Sequence, residues 1–477
     1  MAWDEGRGVA MGSHRFVWAG ALASCVVATS AGAEQPAAPD PLSDPSRTEI
    51  VVVGSREQLQ TIPGSASVIS REALDESRVF TVNEALRAVP GVYVRDEEGF
   101  GLRPNFGVRG LNPTRSSKVL LLEDGLPLSF APYGDNASYY HPPVERFERI
   151  EVLKGSGQIL FGPQTVGGVV NYITPRVPSE LAGAFTLRGG NRSFRDAHIE
   201  IGDRLSSGTG WLANATYKES DGARENMRFA VTDLNLKLEQ PLTESQALVL
   251  RSSFYDEDSH VAYSGLTLTE FSADPRANPF VNDRFDAYRW ALSATHAWHA
   301  NDRSALKTSA YYTYFDRDWW RQSSNSNQRP NDSSDPACAS LANLSTTCGN
   351  EGRLRQFWTA GVEPRWTTSL PLFGLANETV LGARVHFEHQ YRVQANGDTP
   401  TARTPGIGSN GGIKEDNSRD VEALAAFWQT RLDFGRASLV PGLRYEHIGY
   451  ERENFLNGAR GETSLAEWIP GLGATFG

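Results

Sequence analysis

Long apolar runs are missing from this sequence of 477 residues. Only 39% of its residues are hydrophobic, and past the N-terminus no run reaches the roughly 18 apolar residues that a membrane-spanning helix requires. A helical span is therefore not available. A membrane β-barrel is compatible with this composition, because a barrel strand needs an apolar residue only at every second position.

Basic runs are missing as well. The chain has 46 Lys and Arg residues against 57 Asp and Glu residues, which gives a formal net charge of −11. A nucleic-acid-binding protein normally concentrates positive charge on one face or along one segment. We therefore expect no nucleic-acid partner.

The N-terminus is typical of a secretory signal. His14 and Arg15 precede an apolar run over residues 16–28, and Ala31-Gly32-Ala33 forms a small-residue cleavage site. We therefore predict that residues 1–33 are a signal peptide.

Two details of this segment stay open. Translation could start at Met1 or at Met11, because the first ten residues add acidic groups that a signal does not need. Leu22-Ala23-Ser24-Cys25 fits a lipoprotein cleavage box, although the apolar run before it is short. The Pro-, Ala- and Ser-rich residues 34–48 are expected to form a disordered tail.

Cysteine is scarce, with three residues in the chain. Cleavage after Ala33 would remove Cys25 and leave Cys338 and Cys348, which are ten positions apart. Two cysteines in an exported chain suggest one loop disulfide. A metal site is the alternative, although no cluster of His or Cys accompanies them.

From residue 181 onward, apolar and polar residues alternate. In the segment 378–391, one face carries Leu381, Ala383, Val385, Phe387 and Tyr391, and the other carries Arg384, His386, Glu388 and Gln390. The segment 422–434 and the run around Leu236 alternate in the same way. A period of two with one apolar face is what a membrane strand needs.

The connections between these segments alternate in length. Short turns are predicted near residues 206–209, 241–245, 300–303, 371–374 and 435–436, and long polar links near residues 260–284, 318–353 and 393–419. Short periplasmic turns and long external loops are typical of outer-membrane barrels. We therefore predict that residues 179–477 form an antiparallel transmembrane β-barrel wall of roughly twelve strands.

The local sequence signals of residues 54–178 predict a smaller, mixed α/β domain. Thr81 and Glu84 form a capping box for a helix that Pro90-Gly91 ends. Asp124-Gly125 predicts a hairpin turn between two short strands. Strands are predicted at residues 118–122, 126–128, 149–154 and 169–174.

Four segments of this domain form an ordered series of motifs. They are VNEALRAVPGVYV, NFGVRGLNP, VLLLEDGLPLSFAPYGD and RIEVLKGSGQILFGPQTVGGVVNYIT. Together they resemble the plug domain of TonB-dependent outer-membrane receptors, over roughly residues 48–178. Within that family, NFGVRGLNP, FAPYG and GPQTVGGVVN are most similar to the ferric dicitrate receptors.

The resemblance implies a protein of the bacterial outer membrane that imports a ferric chelate, above all ferric dicitrate. Iron would travel inside its chelate, so no cofactor or protein-bound metal is expected. A TonB-type protein of the inner membrane would supply the energy, outer-membrane lipid would surround the barrel, and the receptor would be monomeric. Another siderophore, cobalamin or a sugar stays open as the substrate.

A short apolar tag lies between the tail and the plug. It consists of Glu49, Ile50, Val51, Val52 and Val53. It resembles the TonB box, an extended segment that adds as a strand to the edge of the periplasmic partner. The alternative is that these residues form the first strand of the plug.

The resemblance also assigns candidate ligand contacts. The plug apices would present Arg103, Asn105, Asn112, Thr114, Arg115, Ser116 and Ser117, and the loops would add Arg317, Arg321, Arg329 and Arg353. Because ferric citrate is anionic, Arg115 is the most sensible single contact. Each of these side chains could instead be an ordinary solvated group.

Three further charges are candidates for a lock between plug and barrel. Arg109, Glu151 and Lys154 would be desolvated there and would need partners of opposite charge on the lumen side of the wall. Their alternative is an ordinary surface position.

No catalytic constellation is found in the sequence, so we expect no enzyme. The pattern Gly406-Ile-Gly408-Ser-Asn-Gly411 resembles a dinucleotide-binding loop, but it lies in a long link with no following helix. His386 and His389 are three positions apart on a strand and face opposite sides, so they cannot share a metal. A passive porin or adhesin barrel and an outer-membrane hydrolase stay open as other classes.

The number of strands is small for this family. Plugged outer-membrane transporters have about 22 strands, whereas roughly twelve are predicted here. The last predicted strand, over residues 466–477, has no terminal aromatic segment. We therefore expect the sequence to be a fragment that holds the plug and about half of the barrel and cannot transport by itself.

Overall fold

A computed structural model describes residues 62–155, 158–262, 265–266, 268–278, 280–321, 350–372, 374–399, 401–407 and 411–476. Some of the predictions lie outside these residues and stay predictions: the signal peptide, the tail, the tag of Glu49 to Val53, Arg329, and the Cys338–Cys348 disulfide. No helix within the described ranges is long and apolar enough to cross a membrane.

The first part is a small mixed α/β domain, named the plug. Its elements are β1 (Ser65–Ser70), α1 (Arg71–Ser77), α2 (Val82–Leu86), β2 (Val92–Val94), β3 (Phe106–Val108), β4 (Leu120–Glu123), β5 (Leu126–Pro127), β6 (Arg149–Lys154) and β7 (Val169–Ile173). Five strands form one sheet in the order β1-β6-β7-β4-β5, and β2 pairs with β3. The β4–β7 pair is parallel.

The local signals of the plug produce the elements that they predict. The Thr81 side chain accepts a hydrogen bond from the Glu84 N–H at 3.3 Å and starts α2, while the Glu84 carboxylate accepts from the Phe80 N–H at 2.6 Å. Asp124 and Gly125 have φ angles of 49° and 85°, as a two-residue hairpin turn requires. The predicted helix and hairpin are therefore confirmed, although α2 ends at Leu86, before Pro90.

The second part is a sheet of twelve antiparallel strands, named the wall. Its strands are β8 (Ala182–Gly189), β9 (Arg195–Arg204), β10 (Gly210–Asp221), β11 (Arg228–Thr243), β12 (Gln246–His260), β13 (Arg284–Asn301), β14 (Ser304–Arg321), β15 (Asn350–Thr368), β16 (Ala376–Gly397), β17 (Gly412–Asp433), β18 (Ala437–Asn454) and β19 (Ala459–Phe476). Each strand pairs with its neighbours in sequence. The predicted fold class is confirmed, while the domain limits at residues 54–178 and 179–477 remain predictions.

The wall reverses the usual burial pattern. On β16, Arg384 and His386 are only 1% and 0% exposed, whereas Leu381 and Phe387 are 46% and 39% exposed. The polar face of the strand therefore packs inward against the plug, and the apolar face points outward, as lipid contact requires. The predicted assignment of the two faces is confirmed.

The connections between the wall strands differ in length between the two ends. Short turns occupy residues 205–209, 244–245, 302–303, 369–375 and 434–436. At the other end, three links are short, at residues 190–194, 222–227 and 455–458, and three are long, at residues 261–283, 322–349 and 398–411. The first long link contains the helix α3 (Leu268–Ala273). The long links are shorter than predicted. Strands β14 to β17 extend beyond the segments in which apolar and polar residues alternate. By loop length, the long links mark the outer end.

Plug and wall share one apolar core. The Phe130 ring of the plug lies 5.0 Å from the Phe315 ring and 4.2 Å from the Phe357 ring of the wall, centroid to centroid. All three side chains are 2% exposed or less. This contact seats the segment 130–139 of the plug near the outer ends of β14 and β15.

Candidate functional site

The outer surface of the plug presents Arg115 on a tight turn. Thr114–Ser116 is a short 3₁₀ turn in which Arg115 and Ser116 have φ angles of 53° and 47°. Such left-handed conformations cost of order 1–3 kcal/mol for residues other than glycine and persist only when neighbours hold them. The Asn105 Oδ1 accepts from the Arg115 N–H at 2.7 Å, and the Ser116 Oγ accepts from the Phe106 N–H at 3.1 Å.

The Arg115 side chain is directed toward the wall. It is 6% exposed, and its Nη2 lies 2.7 Å from Glu97 Oε2. Its Cζ lies 4.6 Å from the centre of the Tyr139 ring and 5.5 Å from that of Trp319 on β14. Aromatic rings at such distances stabilise a guanidinium without neutralising its charge.

Arg317 of β14 approaches the same tyrosine from the wall. Its Cζ lies 4.1 Å from the centre of the Tyr139 ring, and the residue is 3% exposed. Within the described part of the chain, Arg317 Nε and Nη1 and Arg115 Nη1 have no hydrogen-bond partner. Buried donors without partners are costly, so this arrangement favours an anion that could accept from both guanidinium groups.

The electrostatic effect of the two cations is visible on the tyrosine between them. Burial alone would raise the pKa of Tyr139, but the guanidinium groups of Arg317 and Arg115 lower it below its ordinary value. The positive potential at this point of the plug surface is therefore strong enough to outweigh desolvation.

Two further arginines extend the site. Arg355 Nη2 lies 2.6 Å from Glu415, while Arg392 Nη1 lies 3.0 Å from Asp135 of the plug and its Nε 3.3 Å from Glu415. Arg355 and Arg392 are also close enough to Arg317 to repel it electrostatically. The outer arginine site consists of Arg115, Tyr139, Arg317, Arg355 and Arg392. Its four cations face three carboxylates: Glu97, Asp135 and Glu415.

The remaining predicted contacts lie around this site. Arg321 and Arg353 share one carboxylate, since each places a nitrogen 2.5 Å from Glu351 Oε1. The exposed Asn112 accepts hydrogen bonds from the N–H and hydroxyl of Thr114 at 3.0 and 2.8 Å. Ser117, which is half-buried, ends the 3₁₀ turn.

Three of the predicted apices are bonded within the protein. Arg103, Asn105 and Ser116 are 2%, 0% and 1% exposed. Arg103 makes a two-point ion pair with Glu257 of β12, while Asn105 and Ser116 use their side chains to brace the turn that carries Arg115. Their contact with a ligand stays a prediction.

The lock between plug and barrel stays a prediction, and the contacts of its three residues are as follows. Glu151 accepts from Arg149 and Asn171 inside the plug, Lys154 donates to the Pro90 carbonyl at 2.6 Å, and Arg109 is exposed. The ion pairs between plug and wall include Arg103–Glu257, Asp124–Arg251, Asp135–Arg392, Glu145–Lys218, Glu145–Arg188 and Arg146–Asp233. These side chains help to hold the two parts together.

Sequence reasoning missed Asp135, Tyr139, Arg355 and Arg392. A signal was present for Arg392, because it continues the inward-facing series of Arg384 and Glu388 at period two. Asp135 ends the FAPYGD segment, but nothing local indicated its pairing with a residue 257 positions away. Across the described ranges, no group of three His, Cys, Asp or Glu side chains is arranged to hold a metal ion.

Two family models match the chain in order. Residues 58–169 match the TonB-dependent receptor plug domain. Residues 186–476, more than half of the chain, match the TonB dependent receptor-like β-barrel.

Curated relatives include two vitamin B12 transporters named BtuB. The protein of Vibrio vulnificus is 29% identical over 221 residues, which is 46% of this chain and 35% of the relative. The protein of Photobacterium profundum is 30% identical over 171 residues, which is 35% of this chain and 27% of the relative. The matches thus span about a third of these relatives' length.

Solved structures show the same fold. The unliganded ferric citrate transporter FecA superposes with a TM-score of 0.77 at 24% identity, over 89% of this chain and 62% of that protein. The siderophore receptor PiuA from Acinetobacter baumannii gives 0.71 at 14% identity, over 91% and 66%. With a plug, an inward-polar wall and matching models for both, this chain belongs to the TonB-dependent receptors of the bacterial outer membrane.

Proposed function

We propose that this receptor captures and imports an anionic ferric chelate, with ferric dicitrate as the leading ligand. The observation that carries the proposal is the pair of buried guanidinium groups, Arg115 and Arg317, that meet at Tyr139 with unpaired donors. A guanidinium presents a planar fork of N–H groups that matches a carboxylate at two points. A chelate rich in carboxylates would therefore satisfy the donors that the protein leaves open.

Iron would reach this site as cargo within its chelate and would need no ligand from the protein. Import would involve no bond chemistry. The outer membrane has no nucleotide supply, so the energy would come from a TonB-type partner, which would bind residues 49–53 as an added strand. The resemblance supports this coupling step, and the tag itself lies outside the described residues.

Cobalamin is the second candidate ligand, because the BtuB proteins are vitamin B12 transporters and about 30% identical over the matched part. A corrinoid is recognised chiefly through amide groups and apolar surface. Four clustered arginines, three of which have buried donors without a partner, favour a ligand with several negative charges instead.

A titration of the purified chain in detergent separates these candidates. Trp319 lies 5.5 Å from the Arg115 guanidinium, so tryptophan fluorescence should report binding. We expect saturable quenching by ferric citrate, with metal-free citrate and cyanocobalamin as the comparison ligands. Stronger and tighter quenching by cyanocobalamin would reject the ferric chelate.

Two substitutions test the site itself. Arg115→Ala and Arg317→Ala should each weaken ferric citrate binding by roughly 1.5–3 kcal/mol, the loss expected for a hydrogen bond to a charged group. Arg195→Ala is the matched control, because Arg195 pairs with Glu219 on the outer rim and is 75% exposed. A dissociation constant unchanged in both site variants would move ligand binding away from Tyr139.

A further inference from the structure

A series of cations faces inward on four neighbouring wall strands and begins at the outer arginine site. It consists of Arg317 on β14, Arg289 on β13, Arg251 on β12 and Lys237 on β11. All four are buried or half-buried against the plug. These four residues are named the cation ladder.

The strand register shows that the ladder descends. Arg317 pairs with Ala287, which lies two residues closer to the outer end than Arg289 on the same strand. Arg289 pairs with Tyr255, which lies four residues closer to the outer end than Arg251. At about 3.3 Å per residue, these six residues correspond to a descent of roughly 20 Å. Arg251 is directly opposite Lys237.

The plug follows this descent with two adjacent tyrosines. Tyr139 contacts Arg317 at the top, and the Tyr140 ring centre lies 4.6 Å from the Cζ of Arg289 one step lower. Arg146 of the plug donates to the Tyr140 hydroxyl at 2.9 Å. Cationic groups of wall and plug therefore follow one another from the outer site toward Arg146 of the plug.

The ladder ends at a cavity beneath the β4–β5 hairpin, in which charged side chains stand among apolar ones. The cavity has a volume of about 70 Å³. Its charged lining consists of Glu123, Asp124, Arg146, Lys237, Arg251 and Arg289. Because one water occupies about 30 Å³ of the liquid, this space could hold a small oxyanion or a few waters.

Arg289 is the cation in this lining that lacks a carboxylate partner. It is 3% exposed, and within the described ranges no carboxylate lies at ion-pair distance from it. Its Nη1 reaches Ser253 Oγ only at 3.5 Å, and its Nε has no hydrogen-bond partner among the described residues. The Nε atoms of Arg146 and Arg251 are also unpaired there, although each arginine binds a carboxylate through another nitrogen.

The cations that line the cavity stabilise the ionised carboxylate of Asp124 in the hairpin turn. Burial alone would raise the pKa of Asp124, but Arg251 and Lys237 lower it below its ordinary value. Carboxylates bind Arg146 and Arg251 directly, whereas none lies at ion-pair distance from Arg289 within the described ranges. A buried guanidinium without such a partner is costly unless an anion joins it.

We propose that this cavity is a second, inner oxyanion site centred on Arg289, which receives a carboxylate or phosphate group below the outer arginine site. For an oxyanion that is part of the imported chelate, this proposal rests on the proposed function. In the arrangement described, the volume fits one such group and not a whole ferric chelate. The chelate would therefore occupy this site only after the hairpin shifts.

Calorimetric titration of the full chain in detergent tests the inner site. The probes are inorganic phosphate, metal-free citrate and ferric citrate. The double variant Arg115→Ala/Arg317→Ala should lose ferric citrate binding and keep saturable binding of phosphate and citrate. Arg289→Gln added to this double variant should weaken phosphate and citrate binding at least tenfold. Arg289→Gln alone should leave ferric citrate binding within about threefold, because the outer site is intact.

Two further variants control for charge and for folding. Arg289→Lys keeps the charge and should bind phosphate within about tenfold of the wild type. Arg284→Gln removes an arginine from the same strand, but its side chain is 35% exposed and binds Asp286 outside the cavity, so it should change nothing. Far-UV circular dichroism and gel mobility before and after heating would verify that each variant is folded.

Selenate gives a direct readout on the unaltered chain. Crystals soaked in selenate should show an anomalous peak within hydrogen-bond distance of the Arg289 guanidinium. The absence of that peak would overturn the inner site. Phosphate binding that is unchanged when Arg289→Gln is added to the folded double variant would overturn it as well. Phosphate binding that depends on Arg289 without any ferric citrate binding would instead overturn the proposed function and leave the inner site standing.

Discussion

Arg103 of the plug and Glu257 of the wall form a two-point ion pair, with N–O distances of 2.7 and 2.5 Å. Their side chains are only 3% and 1% exposed. The Arg103 guanidinium also lies 3.7 Å from the centre of the Phe285 ring. Removing one partner of such a pair leaves the other charge buried and unpaired, which is far more costly than losing a surface pair.

We therefore expect Glu257→Gln to destabilise the seating of the plug by about 3–5 kcal/mol. Urea unfolding followed by tryptophan fluorescence and limited proteolysis of the plug would measure the loss. The control is Glu219→Gln, whose partner Arg195 is 75% exposed, and it should cost at most about 1 kcal/mol. Equal losses in the two variants would show that the Arg103–Glu257 pair does not hold the plug.

Glu98 makes stability depend on pH. Its Oε1 accepts from the Arg103 N–H at 3.0 Å, and burial raises its pKa from 4.5 to about 7, although Arg103 and Arg115 oppose the shift. The folded state thus holds this proton more tightly than the unfolded state. Its contribution to stability falls as the pH rises from about 4.5 to about 7 and is constant above that range.

Glu98→Gln should remove this pH dependence and should stabilise the chain at pH 8 by about 1–3 kcal/mol relative to the wild type. Unfolding free energies at pH 5 and pH 8 would measure the change. Glu76→Gln alters an exposed carboxylate of α1 and should leave the slope as it is. A slope retained in Glu98→Gln would assign the dependence to another group.

The sequence predicts the wall well because lipid and plug demand opposite chemistry on the two faces of each strand. The contrast is visible on β16. There the polar Arg384 and His386 are buried, and the apolar Leu381 and Phe387 are exposed. It fades at the outer end of β16, where residues 395–397 are all buried and lipid does not set the chemistry of one face. The outer strand ends were therefore predicted as loops.

The site is harder to predict because exposure depends on which wall strand covers each plug residue. Arg103 and Arg115 are arginines in neighbouring segments. Arg103 forms an ion pair with Glu257, whereas the Arg115 guanidinium lies over the Tyr139 ring. Partners such as Glu257 lie 154 positions away in sequence. Local pattern has no information on contacts of this range, so Asp135 and Arg392 were missed.

The tag of residues 49–53 gives a test of coupling. Val51→Pro should abolish energy-dependent uptake in a receptor that carries this segment and leave ferric citrate binding unchanged, because proline removes an N–H from the added strand. Val51→Thr keeps the N–H and the strand propensity and should transport normally. Uptake of radioactive iron and fluorescence titration would be compared, and normal uptake by Val51→Pro would reject the tag as the coupling segment.

Asp135 offers the sharpest test of the outer arginine site, because its carboxylate lies where a ligand's carboxylate would bind. Its Oδ2 pairs with Arg392 at 3.0 Å, while its Oδ1 accepts from the Ala137 N–H at 3.2 Å. Asp135→Asn keeps the acceptor for Ala137 and loses the charge that competes for Arg392. We expect ferric citrate to bind roughly tenfold more tightly, a gain smaller than a full charge-assisted hydrogen bond.

The matched control is Asp274→Asn, an exposed residue near α3 that accepts from the Arg276 N–H at 2.8 Å. It removes the same unit of charge from an outer link, so it should change the affinity only through weak, salt-screened effects. If Asp135→Asn binds ferric citrate no better than Asp274→Asn, the ligand does not compete for Arg392. If it binds more weakly, Asp135 supports the ligand instead of competing with it.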